Sequence, residues 1–120
     1  MIKLIAATVV CVGLLASQPR VETQKQPELI DMGEFDVTFY AEDTITATGT
    51  KPVHMKTCAV DPNVIPYGSK VYVDDLELEL TAEDCGEAVK GEVIDVFING
   101  TEKDTEKWGR QRHNIYIQRR

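Results

Sequence analysis

Short runs of alternating apolar and polar residues recur from about residue 35 to the end of the chain. This period-two alternation is typical of β-strands that bury one face. Turn-forming residues separate the runs, as in "DPNVIPYGS" at 61–69. The pattern predicts six short strands, which are in chain order "FDVTFY" (35–40), "KTCAV" (56–60), "KVYVD" (70–74), "LELELTAED" (76–84), "EVIDVF" (92–97) and "HNIYIQ" (113–118).

One segment favours a helix, "TEKDTEKW" at 101–108. Thr101 can cap it, and Asp104 stands at the capping-box distance. Asp74 and Asp75 predict a tight hairpin turn between the third and fourth strands. Six short strands, many turns and one short helix indicate an all-β protein that forms a closed or nearly closed barrel.

The first 33 residues have a different pattern. A single positive charge at Lys3 precedes an apolar run from Leu4 to Ala16, which is shorter than the ~20 residues of a transmembrane helix. Residues 1–17 are therefore expected to be a secretory signal, and the domain to be exported. An uncleaved membrane anchor is the alternative, and a buried helix of a cytosolic protein ranks third. Residues 18–33 are polar and predict a linker, which places the domain at 34–120.

The length and the net charge of the chain limit the number of domains and the kinds of partner. A chain of 120 residues allows one domain with a modest core, and we expect a monomer. The net charge of −7 argues against a nucleic-acid partner.

Five stretches together resemble a known family: "ITATGTKP", "CAVDPNVIPYGSKVYV", "AEDCGEAVKG", "VIDVFING" and "WGRQRHNIYI". They are similar to the 3D (three-aspartate) domain family, which is related to the catalytic domain of membrane-bound lytic transglycosylase A. The resemblance runs from about Phe35 to Gln118. It implies a double-psi β-barrel and cleavage of peptidoglycan strands between N-acetylmuramic acid and N-acetylglucosamine, without a cofactor.

By residue type, the family's three aspartates are Asp61, Asp84 and Asp95. The resemblance implies that Asp95 is the catalytic acid. Burial within "VIDVF" and a second carboxylate nearby would both raise its pKa, which a proton donor at neutral pH requires. Asp84 would be the second catalytic residue and orient the acid or the sugar. From the residues alone, Asp95 could equally face solvent, and Asp84 and Asp61 could simply stabilise turns.

The candidate substrate-binding residues are Asp61, Thr48, Gly49, Gly86 and Lys90. The family pattern suggests that Thr48 and Gly49 line the groove, and Lys90, between the two acids in sequence, could hold a carboxylate or a substrate oxygen. An ordinary surface loop is the competing interpretation for Thr48 and Gly49, and an exposed side chain for Lys90. The sequence departs from the family pattern at Glu87, where a second glycine is usual. If that position needs a positive φ, glutamate would be strained there, and substrate fit would suffer.

Two cysteines of the domain, Cys58 and Cys85, could form a disulfide beside the aspartates, or remain two thiols. The two histidines have no ligand-like spacing, so we expect no metal. Besides a peptidoglycan-cleaving enzyme, two other functions stay open. One is a non-catalytic cell-wall binding module on the same barrel, and the other a secreted interaction protein without a carbohydrate ligand.

Overall fold

The computed structural model describes residues 28–119. Within this range it contains six strands, a 3₁₀ turn and one α-helix. In chain order these are β1 (Ile30–Tyr40), β2 (Thr57–Ala59), β3 (Lys70–Val73), the 3₁₀ turn (Asp74–Leu76), β4 (Leu78–Asp84), β5 (Val93–Phe97), α1 (Glu102–Glu106) and β6 (Gln111–Gln118).

The strands close into a barrel in the order β1-β5-β2-β4-β3-β6. Two neighbouring pairs are parallel, β1 with β5 and β2 with β4, and the other four are antiparallel. Closure leaves no strand edge unpaired, which removes the usual route to edge-to-edge association. The predicted double-psi β-barrel with six strands and one short helix is confirmed.

The core fills the barrel interior with side chains that alternate along each strand. On β1 the residues Phe35, Val37 and Phe39 point inward, and on β5 Ile94 and Val96 do so. The remaining core residues follow the same period on the other strands: Cys58, Val71, Val73, Leu80, Ala82, Ile115 and Ile117. Outward positions on β1 and β5 are consequently free to carry polar side chains, and these strands build the site described below.

The first strand begins earlier in the chain than the expected start of the domain at residue 34. β1 begins at Ile30, inside the segment predicted as linker, and Ile30 pairs with Ile117 on β6. The predicted signal at 1–17 and most of the predicted linker lie outside the described residues. Between Glu28 and Arg119, no helix is long and apolar enough to cross a bilayer.

Local turn chemistry explains two connections. The predicted tight turn at Asp74 and Asp75 is instead a 3₁₀ turn, and Glu77 closes it in the left-handed conformation with φ 55°. This prediction was wrong in detail because residues 74–77 include no glycine or asparagine, the residues that usually mark a left-handed position. The predicted capping box is confirmed: Thr101 accepts from the Asp104 amide, and the Asp104 carboxylate accepts from the Thr101 amide.

Candidate functional site

A β-bulge in β4 sets the position of Asp84. Cys58 on β2 pairs with Ala82, but the next residue of β2, Ala59, pairs with Asp84. Glu83 is thus the extra residue of the bulged strand. Because a bulge changes the direction of the following side chain, Asp84 need not point into the core as Leu80 and Ala82 do.

The bulge brings two of the predicted aspartates into one row across four neighbouring strands. Thr38 on β1 pairs with Asp95 on β5, Asp95 pairs with Ala59 on β2, and Ala59 pairs with Asp84 on β4. Two strand spacings separate the Cα atoms of Asp95 and Asp84, which is about 10 Å. Only the methyl group of Ala59 stands between them in the row.

Asp95 points away from the barrel core but is only half exposed. The Thr38 hydroxyl donates to Asp95 Oδ1 at 2.9 Å. Burial raises the pKa of Asp95; the Thr38 bond works against this shift, and the charge of Asp84 adds to it. Within residues 28–119, Asp95 Oδ2 makes no hydrogen bond, so one oxygen is available to carry and deliver a proton.

Asp84 is buried, with 7% of its surface exposed, and its oxygens are occupied. Oδ1 accepts from the amides of Ala47 and Cys85, both at 2.9 Å. Oδ2 accepts from the Tyr40 hydroxyl at 2.9 Å. These three donors fix the position of the carboxyl group and occupy both of its oxygens, which leaves neither oxygen free to activate a water.

Tyr40 connects opposite ends of the row. It lies on β1, three strands away from Asp84 in the barrel order, so its phenol passes over β5 and β2 to reach the carboxylate. The ring also packs edge-on against Phe97, with centroids 5.5 Å apart. Burial and the hydrogen bond to Asp84 raise the pKa of Tyr40 well above its usual range, which keeps the hydroxyl a donor.

A third carboxyl group at this site, Asp43, was missed from the sequence. Burial, followed by a hydrogen bond to Asp84 and the Asp84 charge, raises the pKa of Asp43. Asp43 lies in the polar loop after β1, where an acidic residue gives no sequence signal. The structure therefore gathers Asp43, Asp84 and Asp95, rather than the three aspartates expected from the resemblance.

Asp61 stands apart from these acids and has the bonds of a turn residue. Its Oδ1 accepts from the Asn63 amide at 3.0 Å, and its Oδ2 from the Gly91 amide at 2.9 Å. These two bonds, with a smaller contribution from the Lys90 charge, lower the pKa of Asp61. Asp61 thus ties the β2–β3 connection to the loop between β4 and β5, and the cation of Lys90 lies near Asp61.

The other predicted binding residues fall on two loops. Thr48 lines a groove of about 370 Å³, and Gly49 turns the same loop with φ 89°. The groove runs beside the outward residues Thr81 and Glu83 of β4 and reaches Tyr67. It does not include Asp84 or Asp95. Two of its lining residues, Thr48 and Glu83, are the sequence neighbours of Ala47 and Asp84, which hydrogen-bond to each other.

The loop after β4 tolerates its departure from the family pattern. Glu87 is exposed and does not adopt a positive φ, so the strain considered from the sequence is absent there. Gly86 is the constrained position, because a Cβ atom at this residue would lie 3.3 Å from Val89 Cγ2.

The cysteines are free thiols in the structure, Cys58 buried and Cys85 exposed, so the possible disulfide is not formed in it. Cys58 lies in the core, on the inward face of β2, whereas Cys85 follows the bulge on the surface. Among residues 28–119, no group of three or more His, Cys, Asp or Glu side chains is arranged to hold a metal ion.

Solved structures resemble this barrel. Escherichia coli MltA with bound chitohexaose matches with a TM-score of 0.51 and 19% identity, covering 61% of this chain and 26% of that one. An apo form of the E. coli lytic transglycosylase MltA matches with a TM-score of 0.50 and 18% identity over the same shares of the two chains. At these identities the likeness shows an MltA-like fold.

Sequence comparisons give a nearer relative and a family. The cell wall-binding protein YocH of Bacillus subtilis is 52% identical over 68 residues, which are 54% of this chain and 23% of YocH. This chain thus spans about a quarter of that relative's length. The family model described as "3D domain" matches residues 56–119, more than half of the sequence. The chain belongs to the 3D domain family.

Proposed function

We propose that this protein cleaves peptidoglycan glycan strands as a lytic transglycosylase, at the bond between N-acetylmuramic acid and N-acetylglucosamine. One observation carries the proposal: a half-buried carboxyl group with a raised pKa, Asp95, stands in one row with a fixed carboxylate, Asp84. The MltA-like fold and the cell wall-binding relative support the choice of a cell-wall glycan as substrate.

Asp95 acts twice in the proposed reaction. The protonated carboxyl first gives its proton to the glycosidic oxygen, and the bond from this oxygen to the anomeric carbon breaks. The carboxylate then takes the proton of the muramyl 6-hydroxyl, whose oxygen bonds to the anomeric carbon. The product carries a 1,6-anhydro ring, and Asp95 is protonated again for the next cycle.

Asp84 would stabilise the positive charge that develops on the sugar ring. Its three fixed hydrogen bonds keep it in place, so no reorganisation is needed as the charge appears. The same bonds favour a transglycosylase over a hydrolase, because a hydrolase commonly uses a second carboxylate to activate water or to attack the sugar. In this row only Asp95 has an oxygen free for proton transfer.

A non-catalytic binding module on the same barrel is the second candidate. The description of YocH as a cell wall-binding protein favours it, and fold alone does not distinguish binding from cleavage. For either function the protein would act outside the cytoplasmic membrane, as the apolar run at residues 4–16 also suggests. It would be released or held by an uncleaved anchor.

Product analysis separates the candidates. Purified peptidoglycan is incubated with the wild-type chain and with Asp95→Asn, and the soluble fragments are analysed by mass spectrometry. Fragments with 1,6-anhydro ends from the wild type alone would support the proposal, and reducing ends would indicate a hydrolase. Retention on insoluble wall without any fragments would indicate the binding module.

A further inference from the structure

The groove beside the aspartate row contains a carboxylate that the proposed reaction does not use. Glu83, the bulged residue of β4, lines the groove together with two other residues of β4 and with residues of two loops: Thr81, Ala82, Thr48, Thr50, Tyr67 and Gly68. The groove is about 370 Å³ in volume and open to solvent, which suits a side chain or a short peptide segment.

Glu83 is held by hydroxyl groups. The Thr50 hydroxyl donates to Oε1 at 2.7 Å, and the Thr57 hydroxyl donates to Oε2 at 3.0 Å. Thr46 continues this network, with its hydroxyl 2.6 Å from that of Thr50 and 3.2 Å from that of Thr48. These contacts fix the direction of the carboxylate before any ligand arrives.

The negative charge of Glu83 has no cationic partner within 4 Å in residues 28–119. Lys70, which donates to the hydroxyl of the lining residue Thr81 at 3.3 Å, forms its ion pair with Glu79 instead. Hydroxyl donors orient a carboxylate but leave its charge in place. A ligand that enters this groove would be favoured if it brought a positive charge to Glu83.

Tyr67 supplies an aromatic ring to the lining of the same groove. Its side chain is 38% exposed, so the ring is accessible to a ligand. A groove lined by both an aromatic ring and a carboxylate is suited to a primary ammonium group on a short hydrocarbon chain, because the ring can contact the methylene groups and attract the cation.

We propose that this groove binds the side-chain ammonium group of the diamino acid in a peptidoglycan stem peptide, with Glu83 as its counter-ion. The choice of ligand rests on the proposed function, since it assumes a cell-wall substrate. Distance supports it: Glu83 adjoins Asp84, whose Cα lies about 10 Å from that of Asp95. A stem peptide begins on the sugar at the bond to be cut, and its third residue, the diamino acid, is about 10 Å along an extended chain.

The proposal gives the protein a preference among cell-wall strands. Strands whose stem peptides keep a free amine would bind better than strands in which that amine is cross-linked or acetylated. Glu83 would then be a specificity-determining residue, and the chemical step would still depend on Asp95.

The test measures binding of a purified stem peptide to the full chain by calorimetry, with the free amine and with the amine acetylated. We expect acetylation to weaken binding to the wild type by about 10- to 100-fold, the range of one charge-assisted hydrogen bond. Glu83→Gln should weaken binding of the free peptide by a similar factor. Glu79→Gln, which removes the same charge from the same strand, should leave it unchanged.

Equal affinity of the wild type for the two peptides would overturn the proposal, and this comparison needs no variant that could misfold. Failure of the free peptide to bind, or equal losses in Glu83→Gln and Glu79→Gln, would overturn it as well. Because the peptides contain no glycosidic bond, the result is independent of cleavage. Cleavage of strands together with equal binding of the two peptides would refute only this inference and not the proposed function. Preferential binding of the free amine without any cleavage would support this inference and refute the proposed function.

Discussion

Asp95 combines two properties that oppose each other in an ordinary surface residue: access to a ligand and removal from water. Its outward position on β5 gives the access, while the neighbouring outward side chains of β1, Thr38 and Tyr40, cover part of it. Burial therefore raises its pKa without enclosing the carboxyl group in the barrel core.

The first prediction replaces this acid. Asp95→Asn should reduce the rate of wall clearing by about 100- to 10,000-fold, because one group supplies both proton transfers. At neutral pH the variant should be at least as stable as the wild type. A carboxyl group with a raised folded-state pKa lowers stability as pH rises above the unfolded value, and asparagine does not ionise.

Clearing rates and thermal unfolding at pH 7 would check both parts. A folded variant that clears wall at the wild-type rate would end the assignment of Asp95 as the acid. Asp74→Asn on the 3₁₀ turn is the matched control and should change neither quantity, because Asp74 is exposed, lies outside the row and makes no side-chain ion pair within the described residues.

The second prediction concerns the pH dependence. Asp84 raises the pKa of Asp95 through its charge, so Asp84→Asn should lower it. Activity requires protonated Asp95 in the first step and falls as pH rises through its pKa. The alkaline limb of the pH–rate profile should therefore move to lower pH in Asp84→Asn. An unchanged limb, measured from pH 4 to 9, would show that the two carboxyl groups do not interact.

The sequence predicted the residue types of the site better than their arrangement. Asp95 and Asp84 could be named because motifs identify them, and the structure places them in one row. Tyr40 belongs to the site because its ring crosses two strands to reach Asp84, and Asp43 belongs to it because it lies beside Asp84. The local sequence shows neither relation. Asp61 looked like a site residue because it shares a motif, although its partners are two loop amides.

At the scale of elements, the bulge in β4 determines where Asp84 lies relative to Asp95. Alternation along "LELTAED" predicts the strand correctly but would direct Asp84 inward with Leu80 and Ala82. The extra residue, Glu83, brings Asp84 into register with Ala59 and Asp95. A bulge of this kind depends on pairing with β2, which lies far away in sequence, so the pattern of β4 alone cannot reveal it.

The third prediction tests the loop between β4 and β5, which joins the two strands of the site. Asp61→Asn should lower the melting temperature at neutral pH, because an amide group is a weaker acceptor than a carboxylate for the Gly91 and Asn63 amides. The pKa of Asp61 is lowered in the folded state, so its contribution is present above pH ~4 and lost as pH falls through the lowered value.

Thermal unfolding of both proteins from pH 2 to 7 would check this. The two melting temperatures should differ at pH 7 and converge in acid. A constant difference across the range would mean that the charge of Asp61 does not contribute.

At the scale of the whole molecule, closure makes the barrel one cooperative unit. The first and last strands, β1 and β6, pair with each other, and β1 also pairs with β5. The strand count and the family resemblance predicted a closed barrel, but the order β1-β5-β2-β4-β3-β6 does not follow from periodicity. Apart from β3 and β4, the paired strands lie far apart in sequence, so local patterns carry little information about their pairing.

The fourth prediction uses the two thiols of the described domain as probes of this cooperativity. Cys85 is exposed, and Cys58 is completely buried on β2, between β4 and β5. Burial, followed by the charges of nearby carboxylates, also raises the pKa of Cys58, which disfavours the reactive thiolate. An alkylating reagent can therefore reach Cys58 only when the barrel opens.

We expect Cys58 to be alkylated on the order of 1,000-fold or more slowly than Cys85 at neutral pH without reductant. That factor follows from about 5 kcal/mol of unfolding free energy, the lower end for domains of this size. Peptide mass spectrometry over time would measure the two rates and separate them from that of Cys11. Protection of both thiols until a reductant is added would reveal a disulfide between them. Similar rates at the two positions would mean that β2 opens locally, and that the row of Asp84, Ala59 and Asp95 is not rigidly held.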